Sequence, residues 1–227
     1  MNNWLKKQNS VNNSVNVILF GPPGAGKGTQ AQFIVKKHNY FQLSTGNLLR
    51  EEVKLKSPLG VEIETLISKG KFVSDDTVNI LLRKSITNLK FRDRIIFDGY
   101  PRNVMQAKNL EKILTEFKQS IGHIIFLNVS KEIIEKRIMG RMTCDKCHMT
   151  LNEFFNKEQI ELHPCGKEHL KKRKDDNFNV VVARYDTYME TTKPILDFYS
   201  KNENFTEING ASEIEQITNE INDILNV

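Results

Sequence analysis

The sequence predicts an α/β fold in which a parallel sheet is covered by helices on both faces. Three observations carry that prediction. Short apolar runs alternate with longer stretches of helical periodicity. A glycine-rich turn joins the first apolar run to the first helical stretch. Polar residues suited to ligand contact fall just past the apolar runs, where ligands gather in such sheets. Val15–Phe20 reads as the first strand, Gly21–Thr29 as the turn and Gln30–Lys37 as the helix after it. Phe41–Ser44 is a short strand, and Thr45–Arg50 opens an amphipathic helix. A further helix runs from Pro58 to Ser68. Proline suits its first turn, and Gly70 suits its C-terminal end. Ser74 is an N-cap, with Asp75 and Asp76 favourable in the turn that follows. Arg94–Asp98 is a buried strand ending in an acid, Asn103–Lys118 a helix and His123–Val129 another buried strand. Ser130 caps a helix read through Arg141. Residues 142–172 lose this periodicity and read as a small inserted module rich in Cys, His and Lys. A long helix over 175–201, the strand Phe205–Asn209 and a helix from Ala211 to Leu225 complete the chain.

At 227 residues the chain can bury a sizeable core in one or two domains. Its 39% hydrophobic and 27% charged content fits a soluble globular protein. No apolar run approaches the ~18 residues of a membrane span, so no membrane partner is expected. The net charge of +5 is modest and dispersed, and a site for polyanionic nucleotides accounts for it without nucleic acid. Lys171–Lys174 could serve as a nuclear signal, but Asp175 and Asp176 follow at once and favour a solvated helix start. Met1–Ser14 is polar and Asn-rich. It lacks a secretory apolar core, has Asn2 where myristoylation needs Gly, and reads as a flexible extension. The three cysteines all lie within 144–165, which argues against a disulfide framework and for a metal site or free thiols in a reducing compartment.

The run Gly21-Pro-Pro-Gly-Ala-Gly-Lys-Gly-Thr29 has the makings of a phosphate-binding loop. Without side chains, glycines let main-chain N–H groups close around phosphate oxygens. The helix N-terminus adds its dipole, and Lys27 adds a mobile cation. Gly28 follows the lysine and delays the hydroxyl to Thr29. That departs from GTPases and ATPases whose hydroxyl at the next position binds Mg²⁺.

Six further patterns stand in order behind the loop: Ser44-Thr-Gly-Asn-Leu-Leu-Arg50; Gly70-Lys-Phe-Val73; Phe97-Asp-Gly-Tyr-Pro-Arg102 with Gln106; Arg137-x-x-Gly-Arg141; Arg173-Lys-Asp-Asp176; and Arg184. Taken together with the loop, they resemble the adenylate kinase family in its long-lid form, over nearly everything after residue 15. The resemblance implies a P-loop NTPase-type sheet with two insertions. The core domain would be 15–44, 74–141 and 173–227, the AMP-binding helical insertion 45–73 and the lid 142–172. It implies reversible phosphoryl transfer from ATP to AMP, giving two ADP, by a cytoplasmic monomer, with a mitochondrial home as the alternative. GTP as donor, or a nucleotide-binding regulator without turnover, are the alternative functions.

By the same resemblance, Gly24, Ala25, Gly26, Lys27, Gly28 and Thr29 bind the donor triphosphate with its Mg²⁺, around which Asp98 orients water. Arg137 lies against the donor base with Ala211 nearby, and Arg141 reaches the transferred phosphate. Thr45, Arg50, Gly99, Arg102 and Arg184 hold the acceptor monophosphate, and Arg173 closes over the transfer point. Lys71, Phe72, Val73 and Gln106 recognise the acceptor base. Asn47 stands where the family usually has Asp, which weakens its help to the Mg²⁺ water shell. Tyr100 replaces the usual Phe with little effect. Related kinases of uridylate and cytidylate typically carry Ala at the Thr45 position and Asn or Asp near the Gln106 position, so AMP is the expected acceptor.

Some long-lid members carry a Cys-x-x-Cys…Cys-x-x-Cys zinc site. Here Cys144, Cys147 and Cys165 remain, and Glu168 holds the fourth spacing, with His169 adjacent and His148 and His163 nearby. Structural Zn²⁺ on Cys144, Cys147, Cys165 and Glu168 is expected, the alternative being a metal-free lid held by hydrogen bonds. A zinc-ribbon nucleic-acid module would explain the cysteines but not the loop and the placed arginines.

Overall fold

The computed structural model describes residues 15–87, 93–173 and 176–225. The extension expected over 1–14 lies outside them, as do the two residues 174 and 175 of the basic-to-acidic run. The elements follow in order: β1 (Asn16–Phe20), α1 (Lys27–His38), β2 (Phe41–Ser44), α2 (Thr45–Lys54), α3 (Pro58–Ser68), α4 (Asp75–Thr87), β3 (Ile95–Asp98), α5 (Val104–Glu116), β4 (Ile121–Asn128) and α6 (Lys131–Met139). Then come β5 (Arg141–Cys144), β6 (Thr150–Asn152), α7 (Lys157–Glu161), β7 (Leu170–Lys171), α8 (Phe178–Thr187), α9 (Pro194–Tyr199), β8 (Phe205–Asn209) and α10 (Ile214–Ile224).

Five strands form one sheet in the order β2-β3-β1-β4-β8, every pairing parallel. A strand buried on both faces reads as a continuous apolar run, because alternate side chains meet different helix layers. In β1, Ile18 and Phe20 join the core beneath α2–α5 and α9, whereas Val17 and Leu19 join the core beneath α1, α6, α8 and α10. Each fully buried Leu, Ile or Phe contributes ~1.5–3 kcal/mol by leaving water. No helix among the described residues is long and apolar enough to cross a membrane.

The insertion after β2 is helical. Ser57 caps α3 by accepting from the Gly60 N–H, with Pro58 in the first turn. Residues 141–171 carry a separate antiparallel sheet in the order β6-β5-β7. Its apolar centre is only Cys144, Leu151 and Leu170 with a few half-buried neighbours.

Two segments depart from the expected boundaries. Arg141 does not close a helix. α6 stops at Met139, and Arg141 begins β5. The single long helix over 175–201 is interrupted by a π-turn at Tyr188–Thr192, in which the Lys193 N–H reaches the Tyr188 carbonyl at 2.9 Å. Pro194 is the cause: it has no N–H to give, and its ring crowds the carbonyl four residues back, so the preceding turn widens.

Candidate active site

Parallel strands end on one edge of the sheet, and the loops leaving β1, β2 and β3 share that edge with a cleft of about 1020 Å³. The loop between β1 and α1 forms its floor. Gly24 has φ 82°, and a Cβ there would meet Ile138 at 2.8 Å. Gly26 has φ 95° at the start of α1. Both positions need glycine, the first for space and both for left-handed backbone. The Lys27 ammonium folds back to donate to the carbonyls of Gly21 and Pro22, each at 2.9 Å. Ala25, Gly28 and Thr29 line the same wall.

Cations crowd the cleft. Arg50, Arg102, Arg137, Arg141, Arg173 and Arg184 all line it, with Lys71, Phe72, Val73, Gly99 and Ala211. Arg102 Nε donates to the Gly99 carbonyl at 2.8 Å, and its guanidinium sits 4.6 Å over the Phe72 ring. Burial, helped by Arg184 and Arg50 and opposed by Asp98, pulls its pKa down to about 10. Arg137 donates to the Gly210 carbonyl at 2.7 Å, and burial lowers its pKa too, with Glu213 opposing. Arg141 donates through Nε and Nη2 to the two oxygens of Asp176, at 2.8 and 2.5 Å, and that carboxylate is 1% exposed. Arg50 Nη2 donates to Asn47 Oδ1 at 2.6 Å, so the neutral residue at 47 tethers an arginine of the cleft. Asp98 is buried, and Gln42 Nε2 donates to its Oδ2 at 2.8 Å.

Lys27 shows what the crowding does. Its side chain is half-buried by surface, but the ammonium lies at the floor of the cleft. Burial lowers its pKa from 10.5 to about 8. Asp98 resists, and Arg102 and Arg141 add to the lowering. A base weakened by folding is a stability penalty, since the unfolded chain binds that proton more tightly. The penalty is full below about pH 8 and fades as pH rises towards 10.5, where both states are neutral. The nucleotide-free protein should therefore show one lysine titrating near pH 8, and a bound triphosphate should carry it back up. Isotope-edited NMR of the lysine side chains follows both titrations. A Lys27 amine that stays near its ordinary value without ligand would contradict this electrostatic picture.

Thr45 and Gln106 do not line the main cleft. They line a small cavity beside it, sharing Leu49, Phe72, Val73, Gly99 and Arg102 with it. Thr45 Oγ1 donates to the Gly99 carbonyl at 2.9 Å, and Gln106 is buried.

The thiols belong to the small antiparallel module, and Cys144 also lines the cleft. Cys144, Cys147, His163 and Cys165 place their donor atoms within 4.8 Å of one another. Tetrahedral Zn–S bonds of ~2.3 Å set donors about 3.8 Å apart, so a small inward movement would close the set on a metal. His163 Nε2 lies 3.6 Å from Cys147 Sγ, and its buried Nδ1 has no hydrogen-bond partner. Burial opposes ionisation of Cys144, but hydrogen bonds from Cys147 N–H and His163 bring it down to about 6. Burial and the neighbouring thiols push Cys165 up to about 11. Three sulfurs and one imidazole form a closed soft donor set that fits zinc.

Glu168 is not in that group. Its side chain is 73% exposed, and Oε1 lies 3.6 Å from the ring of His169. The expectation of a second Cys-x-x-X pair fails because the chain returns through His163-Pro-Cys165, then turns away at Gly166 with φ 89°. The short His-x-Cys spacing was the available signal. Gln42 and Asp75, which hold Asp98 and Gln106, were read only as a strand residue and a helix-start acid.

A parallel sheet with a glycine-rich loop, a lysine and a ring of arginines at its carboxyl edge defines a P-loop nucleotide phosphotransferase. The sequence model of the adenylate kinase family matches residues 19–204. An adenylate kinase of Pelagibacter ubique (strain HTCC1062) is 78% identical over 213 residues, covering 94% of this chain and 100% of that protein. Adenylate kinases of Fusobacterium nucleatum and Novosphingobium aromaticivorans are 42% and 38% identical, each covering 93% of this chain and 99% of theirs. The chain belongs to the adenylate kinase family.

Proposed function

We propose that this chain moves the terminal phosphoryl group of ATP to AMP and back, giving two ADP, with Mg²⁺ accompanying the nucleotide. The observation that carries this reading is the crowding of cations around one cleft: Arg102 and Arg141 press on the buried Lys27 ammonium, and Arg184 and Arg50 on the buried Arg102 guanidinium. Phosphates relieve that crowding. Phosphoryl transfer between nucleotides also needs no general base, because the acceptor is already an anion. It needs cation density, alignment and exclusion of water.

In this reading, residues 24–29 cradle the donor phosphates and Lys27 follows the charge that develops on the transferred group. Arg137 and Ala211 flank the donor base. Arg141, held by Asp176, and Arg173 reach the transfer point. Thr45, Arg50, Gly99, Arg102 and Arg184 hold the acceptor phosphate, and Lys71, Phe72, Val73 and Gln106 the acceptor base. Asp98, steadied by Gln42, orders water around the nucleotide's Mg²⁺. Residues 45–73 form the acceptor-side insertion and 142–172 the lid. A structural Zn²⁺ in the lid would be held by Cys144, Cys147, His163 and Cys165, with no position left for substrate.

A coupled assay with ATP and each nucleoside monophosphate tests the reading. ADP formation with AMP well above that with UMP, CMP or GMP is expected. Tight nucleotide binding without turnover, or faster turnover with UMP, would overturn it.

A further inference from the structure

We propose that Asp75 is the positioning residue that sets which way round the Gln106 amide stands, and that this makes the acceptor site take a 6-aminopurine and refuse a 6-oxopurine. The inference rests on the reading of Gln106 as the contact to the acceptor base.

A glutamine amide has nearly the same shape either way round. Left free, it turns to meet whichever edge a ligand presents. Gln106 is not free. It is 3% exposed. Its Oε1 accepts from the Arg102 main-chain N–H at 2.7 Å, and its Nε2 donates to Asp75 Oδ1 at 2.6 Å. A main-chain N–H only donates, and a carboxylate only accepts. Each partner therefore permits one orientation, and both permit the same one.

The lock extends one residue further. Asp75 Oδ2 accepts from Asn103 Nδ2 at 2.8 Å. Asn103 Oδ1 accepts the Gln106 N–H at 2.8 Å, capping α5. Asn103 cannot turn without losing that cap, so both carboxylate oxygens of Asp75 face donors that are fixed in place.

Each of these bonds uses one lone pair of Oε1 and one hydrogen of Nε2. One acceptor site and one donor site remain, and Gln106 lines the small cavity with Thr45, Leu49, Phe72, Val73 and Gly99. A 6-aminopurine offers an N–H donor beside the N1 acceptor and pairs with both. A 6-oxopurine offers the reverse, an acceptor beside the N1–H donor, and meets oxygen with oxygen and hydrogen with hydrogen. Turning the amide to suit it would set Oε1 against the Asp75 carboxylate and the NH₂ against Arg102 N–H. The wrong base thus leaves desolvated groups unpaired wherever the amide goes, which is how a site rejects a near-isostere.

The experiment compares kcat/KM for AMP and for inosine monophosphate, which has a 6-oxo group and an N1–H where AMP has a 6-amino group and a bare N1. It uses the full chain, D75N, D76N and Q106A. Asn at 75 has one oxygen. The fixed Asn103 takes it, and the new NH₂ then faces Gln106 as a donor while the Arg102 N–H still faces it as another, so neither way round satisfies both partners and the single orientation is lost. D75N should lower the AMP-over-IMP ratio by about tenfold or more, with the KM for ATP unchanged within about twofold. D76N removes an acid from the same helix turn without touching Gln106, and should leave the ratio alone. A folded D75N that keeps the ratio overturns the proposal, as does an equal fall in D76N. If D75N melts well below the parent protein, Asp75→Ala is measured in its place against the same expectation. Q106A separates the two layers. Its loss of discrimination alongside an unchanged ratio in D75N refutes the lock alone. An unchanged ratio in Q106A refutes the reading of the acceptor site beneath it.

Discussion

Lys27→Ala should lower kcat by on the order of 10²–10³-fold while leaving the fold intact or slightly firmer. Removing one preorganised charge aimed at a developing negative charge has effects of that size. The Lys27 ammonium donates to the Gly21 and Pro22 carbonyls at the floor of the cleft, and the residue belongs to neither apolar core, so little packing is lost. Its ammonium is disfavoured by burial and by Arg102 and Arg141, so its removal lifts a penalty from the nucleotide-free protein. Steady-state kinetics and thermal unfolding measured on the same preparation give both halves. Near-normal turnover would end the role assigned to Lys27. Lost turnover with a collapsed melting temperature would instead mean that the residue is structural.

If the Cys/His group holds zinc as proposed, removing the metal should have the largest effect on stability, confined at first to residues 142–172. Three buried apolar side chains are a small core for such a segment. Structural zinc sites in small modules contribute apparent free energies of ~10–16 kcal/mol at neutral pH. Protein purified without added metal should carry about one zinc per chain. Cys147→Ser or His163→Ala should empty the site and lower heat resistance before chemistry at low temperature suffers. Glu168→Ala should do neither. Elemental analysis with calorimetry decides the matter: under about one-tenth zinc per chain at normal stability would leave a hydrogen-bonded lid as the better account. Zinc lost in Glu168→Ala but kept in His163→Ala would reverse the ligand assignment.

The sheet was legible because both of its faces are covered. Val17, Ile18, Leu19 and Phe20 alternate between two cores, and four large apolar residues in a row, closed by a glycine-rich turn, suit an inner parallel strand. Helix starts were legible at Ser74, whose hydroxyl accepts from the Thr77 N–H, and at Pro58 in a first turn; Ser130 marks the start of α6 without a side-chain cap bond. The interruption at Pro194 was also written in the sequence, but apolar periodicity ran across it and hid the break. The loop and arginines could be picked out because phosphate chemistry restricts which residues serve. His163 was harder. Its place beside the three thiols is fixed by where two turns bring the chain, and linear spacing favoured Glu168. Asp75 and Gln42 were harder still, since each acts on a neighbour in space from a distant place in the sequence, and their local roles already explained them.

The clasp between Arg141 and Asp176 has a consequence for how this molecule can change over evolutionary time. Arg141 is the first residue of the small antiparallel sheet, and Asp176 lies just past its last strand. The chain thus leaves and rejoins the large sheet at one doorway, whose two jambs are tied together. An excursion with adjoining ends is a cassette: lengthening it adds only a slowly growing closure entropy, and no strand of the parent sheet has to move. What stands in the doorway can be rebuilt, with metal or without, while the frame stays the same.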